Sequence, residues 1–357
     1  MRGAVAGQGT ADGKGLAKRA TRQALSRCAK SGLGNLTGTQ SKRVVSLIAS
    51  ATEIICALGA RDLLVGRSHE CDFPPDVPGL PSLTEPKFPV SGTSYDIDAR
   101  VKAILQEGLS VYRVDAKKLE ALRPDIIVTQ DHCEVCAVSL KDVEAALAAW
   151  IGRRVEIVSL KPDSLADIWV DIAKVARALG RERQGECLVK QLKARMDSIA
   201  GLSGTAQTRP RGAMIEWIDP LMAGGNWMPE LVEMAGAENL FGAKGQPSPW
   251  LDWDQVVVAD PDVVLIHPCG FDIARTLEEM PLLDRRPGWR ELKAVQRGRI
   301  FVVDGNQYFN RPGPRIVESL EILAEIFHPE LFPSRHEGKA WMRYPAEPKA
   351  NEQSRCA

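Results

Sequence analysis

The apolar positions of this chain fall into two kinds of run. Short, nearly continuous runs rich in branched residues read as buried strands: residues 43–48, 63–66, 126–129, 212–217, 263–267 and 301–304. Between them apolar residues recur three and four apart, which is helical spacing. Ile54, Ile55 and Leu58 mark a first helix, with Ser50 and Glu53 spaced as a capping box at its start. Residues 229–235 mark another. The longest helical pattern begins after Asp163 or Ser164, either of which can cap it. It runs through Leu165, Ile168, Ile172, Val175 and Leu179, breaks at Gly180, and resumes with Leu188, Leu192, Met196 and Ile199.

The two halves share one grammar. The helix after the first strand stops at Gly59-Ala60 in the first half, and its counterpart stops at Gly236-Ala237 in the second. Pro124-Asp125 introduces a strand in the first half, and Pro261-Asp262 does so in the second. Strands alternating with helices predict parallel sheets covered by helices, hence two Rossmann-like α/β lobes with a ligand cleft between them. A helix of roughly 20 residues spans roughly 30 Å, enough to join one lobe to the other. The expected organisation is a disordered basic tail (1–42), an N-terminal α/β lobe (43–162), a bridging helical segment and linker (163–207), a C-terminal α/β lobe (208–333) and a polar tail (334–357).

Composition narrows the function. The 357 residues carry 46 basic and 46 acidic side chains, a balance that gives no footing for nucleic-acid binding. No apolar run is long enough to span a membrane. The first 43 residues hold nine Lys or Arg against Asp12 alone, and no apolar stretch follows them. A secretory signal is therefore not expected, and the chain is expected in the cytoplasm. Leu16, Ala20, Ala24 and Cys28, spaced four apart between basic residues, give the alternative of an organellar transit segment. A cytoplasmic setting implies that the eight cysteines are reduced.

In open α/β sheets ligands bind beyond the carboxyl ends of the strands. The loops in those places hold His69, His132 and His267, four cysteines, and many of the aromatic residues. The candidate ligand contacts are Ser50, Thr52, His69, Glu70, Asp72, Phe73, Gln130, Asp131, His132, Trp217, Asp219, Trp227, Trp250, His267, Cys269, Tyr308, Phe309, Asn310 and Arg311. Aromatic walls with a few polar groups suit a large, flat, partly apolar ligand. His69, Cys71, Cys133 and Cys136 leave neighbouring strands, and three thiolates with one imidazole would make a zinc site. The alternatives are contact of one of these groups with a ligand's metal, a redox Cys133-x-x-Cys136 pair, or thiols that line a pocket without coordinating anything. No nucleophile elbow, Walker loop or dinucleotide fingerprint is present, so no catalytic residue is assigned and an enzyme is not expected.

Four segments carry a family resemblance: residues 43–53 (RVVSLIASATE), 66–75 (GRSHECDFPP), 122–130 (LRPDIIVTQ) and 310–315 (NRPGPR). With them, the chain from about residue 43 to 333 resembles the cobalamin-binding members of the periplasmic-binding-protein superfamily. The resemblance implies a corrinoid ligand in the inter-lobe cleft, held by an intracellular binding or chaperone protein or by the substrate-binding component of an ABC transporter with its permease as partner. Haem or siderophore binding, or a thiol- and His-coordinated metal-dependent enzyme, is the alternative.

Overall fold

The computed structural model describes residues 41–106, 111–130 and 155–345. In the first lobe β1 (Val44–Ser46), α1 (Ala49–Ala57), β2 (Leu64–Arg67), β3 (Thr84–Pro86), α2 (Ser94–Gln106), β4 (Tyr112–Val114), α3 (Ala116–Leu122), β5 (Ile126–Gln130) and β6 (Glu156–Leu160) follow in order. β2, β1, β5 and β6 form a parallel sheet in that order, with β3 and β4 as a separate antiparallel pair. Two helices follow, α4 (Leu165–Ala178) and α5 (Glu182–Ser203). The second lobe holds β7 (Arg211–Trp217), β8 (Met222–Ala223), α6 (Met228–Met234), β9 (Glu238–Asn239), α7 (Trp253–Ala259), β10 (Val263–Ile266), α8 (Ile273–Asp284), α9 (Lys293–Gln296), β11 (Ile300–Val303), α10 (Ile316–Phe327) and β12 (Trp341–Arg343). Its sheet runs β12-β11-β10-β7-β8, parallel at β11-β10-β7, with β9 pairing β7. The two-lobed α/β architecture read from the sequence is the observed one.

The repeated sequence signals do the same work in both lobes. Helix α3 ends in left-handed Arg123, and α7 ends in left-handed Asp260, both with φ 44°. The next Pro-Asp then clips the start of a strand to its neighbour. Asp125 accepts the backbone N–H of Arg43 at 2.7 Å, and Asp262 accepts that of Arg211 at 3.0 Å. Gly59 (φ 71°) and Gly236 (φ 79°) close α1 and α6, where the left-handed backbone disfavours a Cβ.

Strand alternation decides which side each residue faces. Val44, Ile126 and Val128 in the first sheet, and Val263, Leu265, Phe301 and Val303 in the second, belong to one buried cluster that also takes in Leu192, Met196 and Ile199 of α5. Val45 and Ile127 face a separate small cluster, as do Val264, Ile266, Ile300 and Val302 on the outer side of the second lobe. One continuous core thus runs from lobe to lobe through α5, whose 22 residues extend about 33 Å. Helices α4 and α5 pack closely because Gly185 has no side chain: a Cβ there would lie 2.5 Å from Cβ of Ala176. Ser164 caps α4, with Asp167 accepting its N–H at 2.9 Å.

Two expectations are corrected. The Ser50/Glu53 capping box is not formed: α1 begins at Ala49 after Ile48, and the Glu53 carboxylate is drawn instead to arginines of the other lobe. Nor is the segment from Ser334 to Tyr344 a loose tail. β12 completes the second sheet antiparallel to β11, and Glu325 anchors the approach by accepting the N–H groups of Arg335, His336 and the Trp341 indole.

A shared core through a long helix resists bending in a way that crossing loops do not. Solution scattering profiles with and without a bound ligand are expected to superimpose. A marked compaction on binding would contradict the rigid bridge.

Candidate functional site

The loops beyond the C-terminal ends of β2 and β11 meet at the lobe junction. Arg311 reaches from the second lobe to Asp72 with both guanidinium nitrogens, Nη1 to Oδ1 at 2.6 Å and Nη2 to Oδ2 at 3.1 Å. The same Asp72 carboxylate accepts the side-chain amides of Asn306 (3.1 Å) and Gln307 (2.6 Å). Behind it lies Glu53, buried, 3.3 Å from Arg311 and 3.6 Å from Arg315. Arg315 is sandwiched between aromatic rings, 4.2 Å from the centroid of Phe73 and 4.5 Å from that of Tyr308. Phe73, Asp72, Tyr308 and Arg311, all candidates from the sequence, therefore converge. Glu53, Arg315, Asn306 and Gln307 join them without having been singled out. Glu53 and Arg315 do lie within the segments 43–53 and 310–315 that carry the family resemblance.

The loop that carries Arg311 is held from inside. Phe309 is buried with φ 61°, a left-handed conformation that costs a bulky residue about 1–3 kcal/mol. Its N–H donates to Ser319 Oγ at 3.0 Å, and its carbonyl accepts the Trp227 indole N–H at 2.7 Å. Its ring stacks 5.3 Å from His267, whose own carbonyl accepts the Asn310 amide at 3.1 Å. Gly305 must lie flat against β10's end, since a Cβ would sit 2.1 Å from the Pro268 carbonyl. Trp227, His267, Phe309 and Asn310 thus support the site from within. Half-buried Trp217 packs on Phe271, ring centroids 5.2 Å apart, and its indole N–H has no partner among the described residues. Trp250 is exposed under the Lys102 ammonium, 4.5 Å from its ring, and Asp219 pairs with Arg286 at 3.8 Å. Cys269 is a half-buried free thiol.

The thiol and histidine candidates separate into placed and unplaced groups. Cys71 is buried, its sulfur accepts the Thr52 hydroxyl at 3.0 Å, and burial pushes its thiol up to about 11. His69 Nδ1 lies 2.8 Å from Thr84 Oγ1, leaving Nε2 at the ring's partly exposed edge, 3.9 Å from Glu70. Glu70 accepts the Tyr112 hydroxyl at 2.9 Å. Asp131, His132, Cys133 and Cys136 lie outside the described residues. Among the described residues no group of three or more His, Cys, Asp and Glu side chains is placed to hold a metal ion. Ser50 is buried beneath Gly313, its hydroxyl without a partner among the described residues.

Burial shapes the charges here. It raises Glu53 to about 7 against the opposing pull of Arg311 and Arg315. Burial also pushes Asp72 up, but the bonds from Arg311 outweigh it and hold its carboxyl below the usual range. Burial pushes His267 down to about 3, so the imidazole is neutral. His69 is also lowered, chiefly by burial, which favours the neutral ring.

Two lobes joined by a helix, with polar and aromatic groups meeting at their strand ends, define a helix-bridged binding protein. The chain belongs to the periplasmic binding protein family, whose sequence profile matches residues 44–306. It is 24% identical over 299 residues to an uncharacterized ABC transporter substrate-binding lipoprotein of Bacillus subtilis (strain 168), covering 82% of each chain. It is 22% identical to a vitamin B12-binding protein of Vibrio vulnificus (strain CMCP6), covering 82% of this chain and 92% of that one. Among solved structures it is similar to a periplasmic heme-binding protein from Roseiflexus sp. RS-1, with TM-score 0.60, 24% identity and coverage of 81% and 99%. It is also similar to the periplasmic vitamin B12 binding protein of Vibrio cholerae, with TM-score 0.56, 20% identity and coverage of 80% and 96%. The structural likenesses establish the fold.

The expectation of a cytoplasmic or organellar location is corrected by this membership. The relatives are periplasmic or lipoprotein substrate-binding proteins, which are exported. The pattern of the first 43 residues was a weaker guide than the homology of the body. The premise for reduced cysteines goes with it, and Cys187 is disulfide-bonded.

Asp72 gives a test with a definite sign. A carboxyl held below its ordinary value contributes stability above that value and loses it as pH falls through the depressed one. Asp72 is partly exposed, so Asp72→Asn is expected to cost about 1–2 kcal/mol at pH 7. In denaturant titrations the gap between the two proteins should shrink on acidification below the carboxylate range. A gap that is absent at pH 7, or that widens in acid, would contradict the assigned role.

Proposed function

We propose that this protein captures a corrinoid of the cobalamin type between its lobes and hands it to the permease of an ABC transporter. The observation that carries the ligand choice is the state of the arginines at the junction. Arg311 is committed to Asp72 and Glu53, Arg315 to Glu318 and Glu53, and Arg275 to Glu278 and Glu279. A porphyrin with ionised carboxylates needs cations that are not already neutralised. A corrin ring edged with neutral amides does not.

Phe73, Tyr308 and Trp217 supply flat apolar surface of the kind a macrocycle covers. When bound, the corrinoid would bring its own cobalt. Of the cleft-loop histidines described, His69 has an accessible ring edge, whereas His267 is wholly enclosed. The relatives named for vitamin B12 support this reading, as does the sequence resemblance. The heme-binding structural relatives share the fold, and haem is the competing ligand.

Stacking of a macrocycle on Trp217 is worth about 1–1.5 kcal/mol. Trp217→Leu should therefore weaken cyanocobalamin binding about tenfold while the far-ultraviolet dichroism is retained. Quenching of tryptophan fluorescence during titration reads both proteins. Equal affinities would remove Trp217 from the site, and no binding by the parent would refute the ligand.

A further inference from the structure

Helix α2 belongs to the first lobe in sequence but is tied to the second. Of its thirteen residues only Ser94 and Val101 are buried, and the rest are exposed or half-buried. Its N-terminus is closed locally by Thr93, whose Oγ1 accepts the Asp96 N–H at 3.2 Å while Asp96 accepts the Thr93 N–H at 2.9 Å. The first helical N–H, that of Ser94, has a partner in the other lobe: it donates at 2.7 Å to Oε1 of Glu279 in α8. Glu279 is buried, and its negative charge sits at the positive end of α2.

Two more contacts cross beside it. Arg275 donates to the Gly92 carbonyl at 2.6 Å and also to Glu279. One helical face along, Lys102 lies over the exposed ring of Trp250. Arg275 itself rests on Phe271, 4.3 Å from its centroid, and Phe271 packs on Trp217. A cavity of about 670 Å³ opens at this place, lined by Gly92, Thr93, Asp96, Arg275, Glu278 and Glu279.

These contacts differ in kind from the Arg311 network. Glu53, Arg311 and Arg315 lie on segments flanked by core residues such as Ile54, Ile55, Ile316 and Val317, all in the cluster that runs through α5. Among the described residues, none of α2 belongs to that cluster or to the two smaller ones. An element with few buried apolar contacts opens at low free-energy cost. We infer that α2 is a strap across the mouth of the cleft, clasped by Glu279, Arg275 and Trp250, and that ligand passes when the strap lets go while the lobes stay fixed. Contact of a ligand with Trp217 would reach the clasp through Phe271 and Arg275. The gating half of this inference rests on the proposed corrinoid reading; the clasp itself does not.

Ser94→Pro removes the N–H that Glu279 accepts at a position where proline is favoured, and Ser94→Ala, which changes the buried side chain but keeps that N–H, is its control. Lys102→Ala removes the cation over Trp250 at an exposed site, and with it the pair to Asp98 within α2, while Arg275 stays on Gly92. In the full-length chain, hydrogen exchange of residues 94–106 should quicken at least tenfold in the double variant, with β1 and β5 unchanged. Unchanged exchange in α2 would overturn the strap. Stopped-flow mixing with cyanocobalamin should then show both association and release several-fold faster. Exchange that quickens while both rates stay fixed would overturn gating. Absence of cyanocobalamin binding by the parent would count against the proposed ligand and the gating built on it, and the exchange result alone would decide the clasp.

Discussion

The guanidinium of Arg311, buried between two carboxylates of the opposite lobe, is the interaction around which this molecule is arranged. Taking such charges out of water is costly, and attraction between them offsets the cost only if geometry and hydrogen bonding are good. Here the fork meets Asp72 with both nitrogens, Asn306 and Gln307 fill the remaining positions on that carboxylate, and Glu53 lies behind. The arrangement adds little net stability over an apolar contact of the same size, but it fixes register. Arg311 finds its partners only when the β2 and β11 loops stand at one separation. The strained backbone of Phe309, held by Trp227 and Ser319, aims it there.

The consequence is a molecule with a stiff side and a yielding side. Near the bridging helix the lobes share one core and a buried ion network. At the mouth they share a few polar contacts and a cation over an exposed ring. A stiff frame suits a large, rigid ligand, since little ordering is lost on binding when the walls are already in place. The same charge pairing that fixes the lobes also commits Arg311 and Arg315 to carboxylates, and the proposed choice of ligand rests on that pairing.

Much of the fold was legible because its signals are local and repeated. The paired Pro-Asp steps and the paired Gly-Ala stops each correspond to a specific bond or backbone angle, seen twice. The helix break at Gly180 and the cap at Ser164 are likewise local. The site was only half legible. Phe73, Asp72, Tyr308 and Arg311 could be named from loop position and residue type. Glu53 could not, because its spacing from Ser50 mimics a helix cap, and only the partner arginines 258 or more residues away reveal its role. Helix α2 carries a weak apolar pattern, with only Ser94 and Val101 buried, and β12 sits in a stretch whose polar composition hides Trp341. Trp227 and His267 were chosen as ligand contacts for their chemistry, which does not distinguish a wall from the scaffold behind it.

The central claim is that the paired charges at the junction select an amide-edged corrin over a carboxylate-bearing porphyrin. It is tested most directly by equilibrium dialysis of the full chain against an equimolar mixture of cyanocobalamin and hemin, followed by the visible spectrum and the cobalt and iron content of the retained complex. The account predicts cobalt at close to one per chain and the corrinoid spectrum. Retention of iron with the porphyrin spectrum, and cobalt at background, would contradict it.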